Sequence, residues 1–373
     1  MVKNIRILAL GLIGLIYLCI SCRKKPIFDP TPTVILYSSS RANIIAINTL
    51  TSTPKWTFNT NGTLFNDAVI SEGVLYAGTN EKKFYAIDIE TGQKKWEYDA
   101  EEAISSSPTV VDGAVYFGSL ARLYSLDART GHLLWTFKPA PGGSIYSSPA
   151  VSHGIVYVGS YTNKLYAIRA ASGEKVWEFT TSDWIYSSPS VASGLVYVGC
   201  NDKKLYAVDS QTGTKKWELI TKDVVYSSPI VANGVVYVGG LDTNLYAIDA
   251  LTGQPRWTYL MSGPIYSSPV ISNNTVYVTD RGSSSSLLSA IDAQTGQPRW
   301  KVPIQSSYIT TNLVVVKGLV YAGEAGGKLH AFDQTSGAQT WEYTLPFEGG
   351  KLLVFTANGQ VTGNYSSISG FNQ

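Results

Sequence analysis

The residue types that most often carry out chemistry are sparse in this chain. Its three histidines, His132, His153 and His330, fall at unrelated places, which does not predict a metal site. Glu101 and Glu102 are neighbours, and neighbouring side chains on an extended strand point in opposite directions, which does not suit paired acid–base catalysis. No Gly-x-Ser-x-Gly elbow accompanies the many serines. We therefore identify no catalytic residue and expect no bound metal.

Aromatic residues are regularly placed instead. Tyr146, Tyr186, Tyr226 and Tyr266 each begin the sequence Tyr-Ser-Ser-Pro, at intervals of 40 residues. In a closed ring of repeats they would lie at equal height around the axis, on the innermost strand. They would then form either an aromatic collar suited to a peptide or a sugar, or packing contacts between repeats.

Trp184 is a further candidate because the repeat does not require an aromatic residue there. An unrepeated aromatic residue in a repeat protein is a candidate for binding, and ordinary packing is the alternative. Trp184 and the four tyrosines make up the candidate binding surface. The corresponding residues of neighbouring repeats are Ser144, Val224 and Pro264.

The elements that must position these residues follow from a second repeat, Ala-x-Asp-x-x-Thr-Gly-x-x-x-Trp. A period of about 40 residues is typical of a β-propeller, in which each repeat forms one four-stranded blade. Four short strand-like runs separated by turn residues can be recognised in the best copies. The sequence therefore predicts an all-β, eight-bladed β-propeller of four-stranded antiparallel blades. The eight tryptophans that end the phrase are Trp56, Trp96, Trp135, Trp177, Trp217, Trp257, Trp300 and Trp341.

Each residue type of this phrase has a structural task. Asp accepts hydrogen bonds from the following turn, and Gly allows the positive φ of a tight Thr-Gly turn. Trp supplies a large apolar surface and an indole N–H that needs an acceptor when buried. We expect the eight tryptophans to dock the blades on one another.

The two ends of the repeat region complete one blade. The first tryptophan phrase follows only two strand-like runs, Val34 to Tyr37 and Ile44 to Ile47, so the first blade lacks its inner strand. The segment from Lys351 to Thr356 could supply that strand. We therefore predict a propeller over residues 33–373, closed by pairing the N- and C-terminal strands, in which residues 360–373 have no assigned role.

The first 32 residues have a different character. Residues 1–21 contain two basic residues and an apolar run, and with Cys22 they resemble a bacterial lipoprotein precursor. The resemblance implies that Cys22 becomes the lipidated first residue, while simple secretion and an uncleaved membrane anchor are the alternatives. Residues 22–32 then form a Pro-containing linker. Loss of Lys3 and Arg6 would leave 27 basic and 27 acidic residues, which does not favour nucleic-acid binding.

The tryptophan phrase closely resembles the PQQ-like propeller repeat. One branch of that group, the quinoprotein alcohol dehydrogenases, holds pyrroloquinoline quinone and calcium beside a pair of adjacent cysteines, which this chain lacks. The other branch, the outer-membrane assembly factor BamB family, consists of eight-bladed lipoproteins that bind proteins.

The resemblance to the BamB family implies a non-enzymatic, lipid-anchored scaffold on the periplasmic face of the outer membrane. Such a protein would have an envelope protein as partner, no cofactor, and a monomeric state outside its complex. A small quinoprotein oxidoreductase with pyrroloquinoline quinone and calcium, or a glycan-binding envelope protein, are the alternatives.

Overall fold

The computed structural model describes residues 33–37, 42–48, 51–64, 66–306, 313–324, 327–344 and 351–355. In these residues, 32 strands form eight four-stranded antiparallel sheets, which confirms the predicted all-β, eight-bladed propeller. Among them, no helix is long and apolar enough to cross a membrane. The proposed signal segment, Cys22, the linker 22–32 and residues 360–373 lie outside the described residues.

Each sheet is one blade, and seven blades use four consecutive strands, written here from the inner strand outward. Blade 1 contains β32 (Lys351–Phe355), β1 (Thr33–Tyr37), β2 (Asn43–Asn48) and β3 (Thr53–Asn59). Blade 2 contains β4 (Val69–Ser71), β5 (Val74–Gly78), β6 (Lys83–Asp88) and β7 (Lys94–Asp99). Blade 3 contains β8 (Thr109–Val111), β9 (Ala114–Gly118), β10 (Leu123–Asp127) and β11 (Leu133–Phe137). Blade 4 contains β12 (Ala150–Ser152), β13 (Ile155–Gly159), β14 (Lys164–Arg169) and β15 (Lys175–Thr180).

The remaining blades repeat this order. Blade 5 contains β16 (Ser190–Ala192), β17 (Leu195–Cys200), β18 (Lys204–Asp209) and β19 (Lys215–Ile220). Blade 6 contains β20 (Ile230–Ala232), β21 (Val235–Gly239), β22 (Asn244–Asp249) and β23 (Pro255–Leu260). Blade 7 contains β24 (Val270–Ser272), β25 (Thr275–Thr279), β26 (Ser286–Asp292) and β27 (Pro298–Ile304). Blade 8 contains β28 (Val314–Val316), β29 (Leu319–Gly323), β30 (Lys328–Asp333) and β31 (Gln339–Thr344).

The tryptophan phrase forms the hairpin between the third and fourth strands. In blade 5, the Asp209 carboxylate accepts hydrogen bonds from the Thr212 backbone N–H at 2.9 Å and from its hydroxyl at 3.0 Å. Gly213 follows with φ of +72°, a conformation that favours glycine. Ala207 lies directly opposite Trp217, and the strand register shifts just after this pair. The sequence thus encodes the turn locally.

The same phrase also joins neighbouring blades. The Trp177 indole of blade 4 donates to the Ser210 carbonyl of blade 5 at 3.0 Å, and the Tyr157 hydroxyl donates to that carbonyl at 3.1 Å. A Cβ atom on Gly213 would lie 2.8 Å from the Trp177 ring, so the glycine also makes room for the indole. The other indoles that donate to a backbone carbonyl of the next blade are those of Trp56, Trp96, Trp135, Trp217, Trp257 and Trp300.

The hydrophobic core lies between the blades. Each cluster of buried side chains combines residues from neighbouring sheets, and one such cluster contains Ile47 of blade 1 and Tyr321 of blade 8. In blade 1, β1 pairs with β32, and Ile35 lies opposite Leu353. The strand pairing that ring closure requires is therefore present, while closure itself stays a prediction.

The strand ends define two faces of the molecule. The Asp-x-x-Thr-Gly turns lie on one face, here called the turn face. The opposite face carries the turns between the second and third strands, such as 160–163, and the connections between blades, such as 181–189. We call it the connection face. Thr33, the first residue of β1, pairs with Asn48. Asn48 begins the turn of blade 1 that corresponds to the Asp-x-x-Thr-Gly turns of the other blades. The chain therefore enters the propeller on the turn face.

Candidate functional site

The Tyr-Ser-Ser-Pro sequences lie just before the inner strands, in the connections between blades. The prediction that they are on the innermost strand is therefore wrong, since β16 begins only at Ser190. In blade 5, the Ser187 hydroxyl accepts the Gly199 N–H at 2.8 Å and donates to the Gly199 carbonyl at 2.8 Å. The Ser187 side chain thus takes the place of a neighbouring strand as the hydrogen-bond partner of Gly199. In addition, Pro189 has no backbone N–H to donate to a neighbouring strand, so the segment does not continue the sheet.

The second serine of each sequence links one blade to the next. Its backbone N–H donates to the hydroxyl of the equivalent serine 40 or 41 residues later, so a chain of side-chain bonds runs around the inner connections. These bonds fix the connections and thereby the tyrosines that precede them. The donor–acceptor pairs are Ser107–Ser148 at 3.2 Å, Ser148–Ser188 at 2.9 Å, Ser188–Ser228 at 2.9 Å and Ser228–Ser268 at 3.0 Å.

The four predicted tyrosines lie side by side on the connection face. The ring centroids of Tyr146 and Tyr186 are 5.9 Å apart, and those of Tyr186 and Tyr226 are 5.3 Å apart. Tyr266 follows at 6.0 Å from Tyr226. These distances are those of direct aromatic contact, so each ring touches the ring of the next blade.

Tyr161, which is not among the candidates predicted from the sequence, connects Trp184 to this row of tyrosines. The two rings stack with centroids 4.6 Å apart and an interplanar angle of 7°. Tyr161 in turn stacks on Tyr146 at 4.5 Å. Six aromatic side chains of blades 4 to 7 therefore form one continuous surface, here called the aromatic arc. Its members are Tyr146, Tyr161, Trp184, Tyr186, Tyr226 and Tyr266.

Tyr161 carries a sequence signal of the same kind as Trp184. It lies in the turn between the second and third strands of blade 4, where the other described blades have a different type of residue. Its contact with Trp184 joins two blades, and a spacing of 23 residues does not predict such a contact. The equivalent residues in the other blades are Asn80, Leu120, Asn201, Leu241 and Arg281.

The arc is accessible, and its side-chain polar atoms have no hydrogen-bond partner among the described residues. Trp184 is 47% exposed, Tyr186 is 43% exposed and Tyr266 is 47% exposed. Within the described part of the chain, no hydrogen bond is formed by the five tyrosine hydroxyls of the arc or by the Trp184 indole N–H. By contrast, the docking tryptophans of seven blades donate to backbone carbonyls. The arc therefore differs chemically from the packing aromatics of the same blades.

Two tyrosines of the arc, Tyr161 and Tyr186, have a raised pKa. Burial, together with the neighbouring tyrosines, raises the pKa of Tyr161 to about 12. Burial likewise raises the pKa of Tyr186. Neutral hydroxyls are both hydrogen-bond donors and acceptors, so the arc offers donors to a ligand without presenting negative charge.

The arc does not continue into blade 3. Ser105 stands there in the place of Tyr146, and its hydroxyl donates to the Ile145 carbonyl at 2.6 Å. At the other end, the Arg281 guanidinium lies 5.5 Å from the Tyr266 ring centroid, within the range of a cation–π contact. Among the described residues, the arc thus extends over blades 4 to 7, although the underlying propeller is repetitive.

The backbone at Trp184 is held firmly from below. The buried Cys200 thiol donates to the carbonyls of Asp183 at 3.3 Å and Trp184 at 3.4 Å. The Trp184 N–H donates to the Asp183 carboxylate at 2.7 Å, and Asn201 N–H donates to the Trp184 carbonyl at 3.0 Å. The exposed indole is therefore presented by a fixed segment, which limits the entropy lost on binding.

The charged residues considered from the sequence do not form a site of this kind. Glu101 and Glu102 both face Arg122 and are occupied by that contact. His330 is buried between two glutamates at 3.6 and 3.4 Å. Among the described residues, no three His, Cys, Asp or Glu side chains come together as they would to hold a metal ion.

A groove of about 430 Å³ lies on the turn face between blades 5 and 6. Its lining includes Asp209 and Gly194, which recur in the blades, and Asp209 is already bonded to its own turn and to Lys216. Leu251 adds an exposed apolar side chain. Because most of this lining is repeated structure, the aromatic arc remains the stronger candidate.

The same architecture occurs in several known structures. BamB from Moraxella catarrhalis aligns with a TM-score of 0.67 and 18% identity, over 79% of this chain and 95% of that chain. The computationally designed Ika8 protein aligns with a TM-score of 0.69 and 18% identity, over 81% and 96%. Quinohemoprotein alcohol dehydrogenase from Comamonas testosteroni aligns with a TM-score of 0.67 and 16% identity, over 79% and 70%. At these identities the similarity shows the fold alone.

Sequence comparison is more specific than these structural alignments. No curated protein sequence matches the chain. A family model described as outer membrane protein assembly factor BamB matches residues 30–135, 119–225 and 220–362. These matches cover most of the chain and nearly the whole propeller. The protein therefore belongs to the family described as the outer membrane protein assembly factor BamB.

Proposed function

We propose that this protein is a non-enzymatic, lipid-anchored scaffold that binds another envelope protein at the periplasmic face of the outer membrane. Its membership of the BamB family supports an outer-membrane location and a partner in an assembly complex. The protein is a monomer outside that complex. The aromatic arc carries the proposal, because exposed Trp and Tyr side chains on a rigid frame are typical of binding hot spots.

The topology of blade 1 supports this arrangement. Thr33 joins the propeller on the turn face, whereas the arc lies on the connection face. A lipid on Cys22 would be linked to Thr33 by a segment that spans at most about 40 Å. A tether attached at the turn face leaves the arc free for a partner.

Affinity capture from detergent-solubilised envelopes tests the scaffold. Parent protein is compared with Trp184→Ala/Tyr186→Ala and with Leu251→Ala, which removes an exposed apolar side chain from the turn face. We expect the parent and the Leu251 variant to retain the same outer-membrane assembly protein, and the double variant to lose most of it. Equal capture by all three proteins would contradict a binding role for the arc. Thermal unfolding of each variant shows that it is folded.

The anchor has its own test. Replacing Cys22 with Ser removes the thiol that would be acylated, so we expect the protein to leave the membrane fraction or to accumulate as a larger precursor. Fractionation and gel mobility of whole cells report both outcomes. A variant that fractionates and migrates like the parent would show that Cys22 is not the anchor.

A quinoprotein oxidoreductase is the competing function, because dehydrogenases of that kind share the fold. The thiol and carboxylate groups of the described residues are not arranged to hold pyrroloquinoline quinone with calcium. Their single thiol, Cys200, is buried beneath the connection face, and no carboxylate cluster suited to a metal accompanies it. Such a cofactor is also a multiple carboxylic acid, and among the described residues the cation in ring contact with the arc is Arg281.

A further inference from the structure

We propose that the aromatic arc binds a proline-rich segment of the partner in the polyproline II conformation. This inference rests on the proposed scaffold function and specifies what the scaffold recognises. It follows from two properties of the arc, which are the geometry of its rings and its supply of unpaired hydrogen-bond donors.

The geometry suits an extended ligand. The three steps from Tyr146 to Tyr266 measure 5.9, 5.3 and 6.0 Å, and they follow a single path across four blades. A polyproline II helix rises about 3.1 Å per residue, so the arc accommodates on the order of six residues. Rigid aromatic rings that line a shallow surface are the feature by which proline-recognition domains hold such segments.

The hydrogen-bonding groups suit a segment that is poor in N–H groups. The five arc hydroxyls and the Trp184 indole N–H have no partner among the described residues, so all six can donate. A polyproline II segment has unpaired backbone carbonyls, and its prolines have no N–H. Donors on the arc would therefore meet acceptors on the ligand.

A glycan is the rival ligand for the same surface. Its hydroxyl groups need acceptors as well as donors, and the tyrosine hydroxyls of the arc can act as both. Hydrogen bonding alone therefore does not separate the two ligands.

The cost of ordering the ligand also favours a proline-rich segment. Proline has a fixed φ, so such a segment is partly in its bound conformation before it meets the protein. The arc is fixed as well, through the serine bonds between blades and the thiol of Cys200 beneath Trp184. Preorganisation on both sides reduces the entropy lost on binding.

Calorimetric titration of the purified full-length protein tests the inference. The probes are a synthetic proline decamer, a glycine–serine decamer of equal length, and the oligosaccharide cellohexaose. We expect saturable binding of the proline decamer at one site per chain, and at least tenfold weaker binding of the other two. Binding of cellohexaose in preference to the proline decamer would overturn the proposal in favour of a glycan site.

Substitutions locate the binding site. Trp184→Ala and Tyr186→Ala should each weaken binding of the decamer at least tenfold, because each removes a ring face. Tyr226→Phe keeps the ring and removes only the hydroxyl, so a smaller loss of about threefold is expected if that group donates. Leu251→Ala on the turn face should bind like the parent. Unchanged affinity in both alanine variants would show that the decamer binds elsewhere and would overturn the proposal.

The outcome separates this inference from the scaffold function. If the arc variant loses its envelope partner while the parent does not bind the decamer at millimolar concentration, the scaffold stands and the proline-rich ligand is wrong. If the decamer binds the arc and competes with the captured partner, both proposals are supported.

Discussion

At the scale of single residues, tryptophan has two different roles in this protein. Trp217 belongs to the repeated phrase, and its indole donates to the Ala250 carbonyl of the next blade at 2.9 Å. Trp184 is outside the phrase, stacks on Tyr161 and leaves 47% of its side chain exposed. The first role could be predicted from the sequence because the residue recurs. The second could only be suspected, because the stacking partner lies in another blade.

These two environments predict different costs of truncation. Trp217→Ala should lower the free energy of unfolding by about 3 kcal/mol, since it removes a docked ring and leaves a carbonyl without its donor. Trp184→Ala should cost no more than about 1 kcal/mol, the value of one exposed stacking contact. Denaturant unfolding of both variants measures the difference. Equal destabilisation would identify Trp184 as another packing residue.

Cys200 gives a second prediction at this scale. Burial raises the pKa of its thiol to about 12, so the reactive thiolate is almost absent at pH 8 in the folded protein. In Cys19→Ser/Cys22→Ser protein, a thiol reagent such as dithionitrobenzoate should therefore react with Cys200 only after denaturation, when the pKa returns to its usual range. Rapid reaction of the native protein at pH 8 would contradict the buried position beneath Trp184.

At the scale of elements, the Asp-x-x-Thr-Gly hairpin was predictable and the Tyr-Ser-Ser-Pro segment was not. The hairpin depends on contacts within a few residues, such as those between Asp209 and Thr212. The other segment resembles a strand in its composition, but its serines bond to groups 12 and 40 residues away. Contacts at such separations cannot be derived from the local pattern, which is why the sequence alone places this segment on the inner strand.

The hairpin predicts a dependence of stability on pH. The Thr212 backbone N–H, followed by the Lys216 ammonium, lowers the pKa of Asp209 from 3.8 to about 2. A lowered pKa stabilises the fold above about pH 4, and this contribution is lost as the pH falls towards 2. Asp209→Asn should therefore be less stable than the parent at pH 6, and the difference between the two proteins should be much smaller at pH 2.5. Thermal midpoints at both values measure this.

A control separates this effect from the general acid sensitivity of the protein. Glu174→Gln changes a side chain that is 75% exposed near the equivalent turn of blade 4. Its difference from the parent should change less between the two pH values than that of Asp209→Asn, because its carboxyl group does not accept the hydrogen bonds of the turn. If the difference between Asp209→Asn and the parent stays constant, the turn carboxylate does not stabilise the fold through its charge.

At the scale of the whole molecule, the repeat determined the architecture and the departures from it determined the site. Eight copies of one phrase predict eight blades, because each blade can bury its tryptophan only against a neighbour. The arc occupies blades 4 to 7, where Trp184 and Tyr161 break the repeat. Its surface results from ring contacts between blades, and these depend on the curvature of the propeller, which the sequence does not specify residue by residue.

Closure of the ring is the remaining prediction about the whole molecule. Ile35 of β1 and Leu353 of β32 lie directly opposite each other, and opposed Cα atoms of antiparallel strands are about 4.5–5.5 Å apart. This separation suits a disulfide, so Ile35→Cys/Leu353→Cys should form one within the chain under oxidising conditions. Because the bond would close a loop of most of the chain, we expect the thermal midpoint to rise by several degrees.

The rise should disappear with reductant and should be absent from either single-cysteine variant. Cys200 should not compete for the new cysteines, since its thiol is buried and protonated. Non-reducing gels distinguish the internal bond, which makes the denatured chain more compact, from bonds between molecules. If the two cysteines remain free, or if their bond leaves the thermal midpoint unchanged, the terminal strands do not hold the ring together and stability must come from the contacts between blades alone.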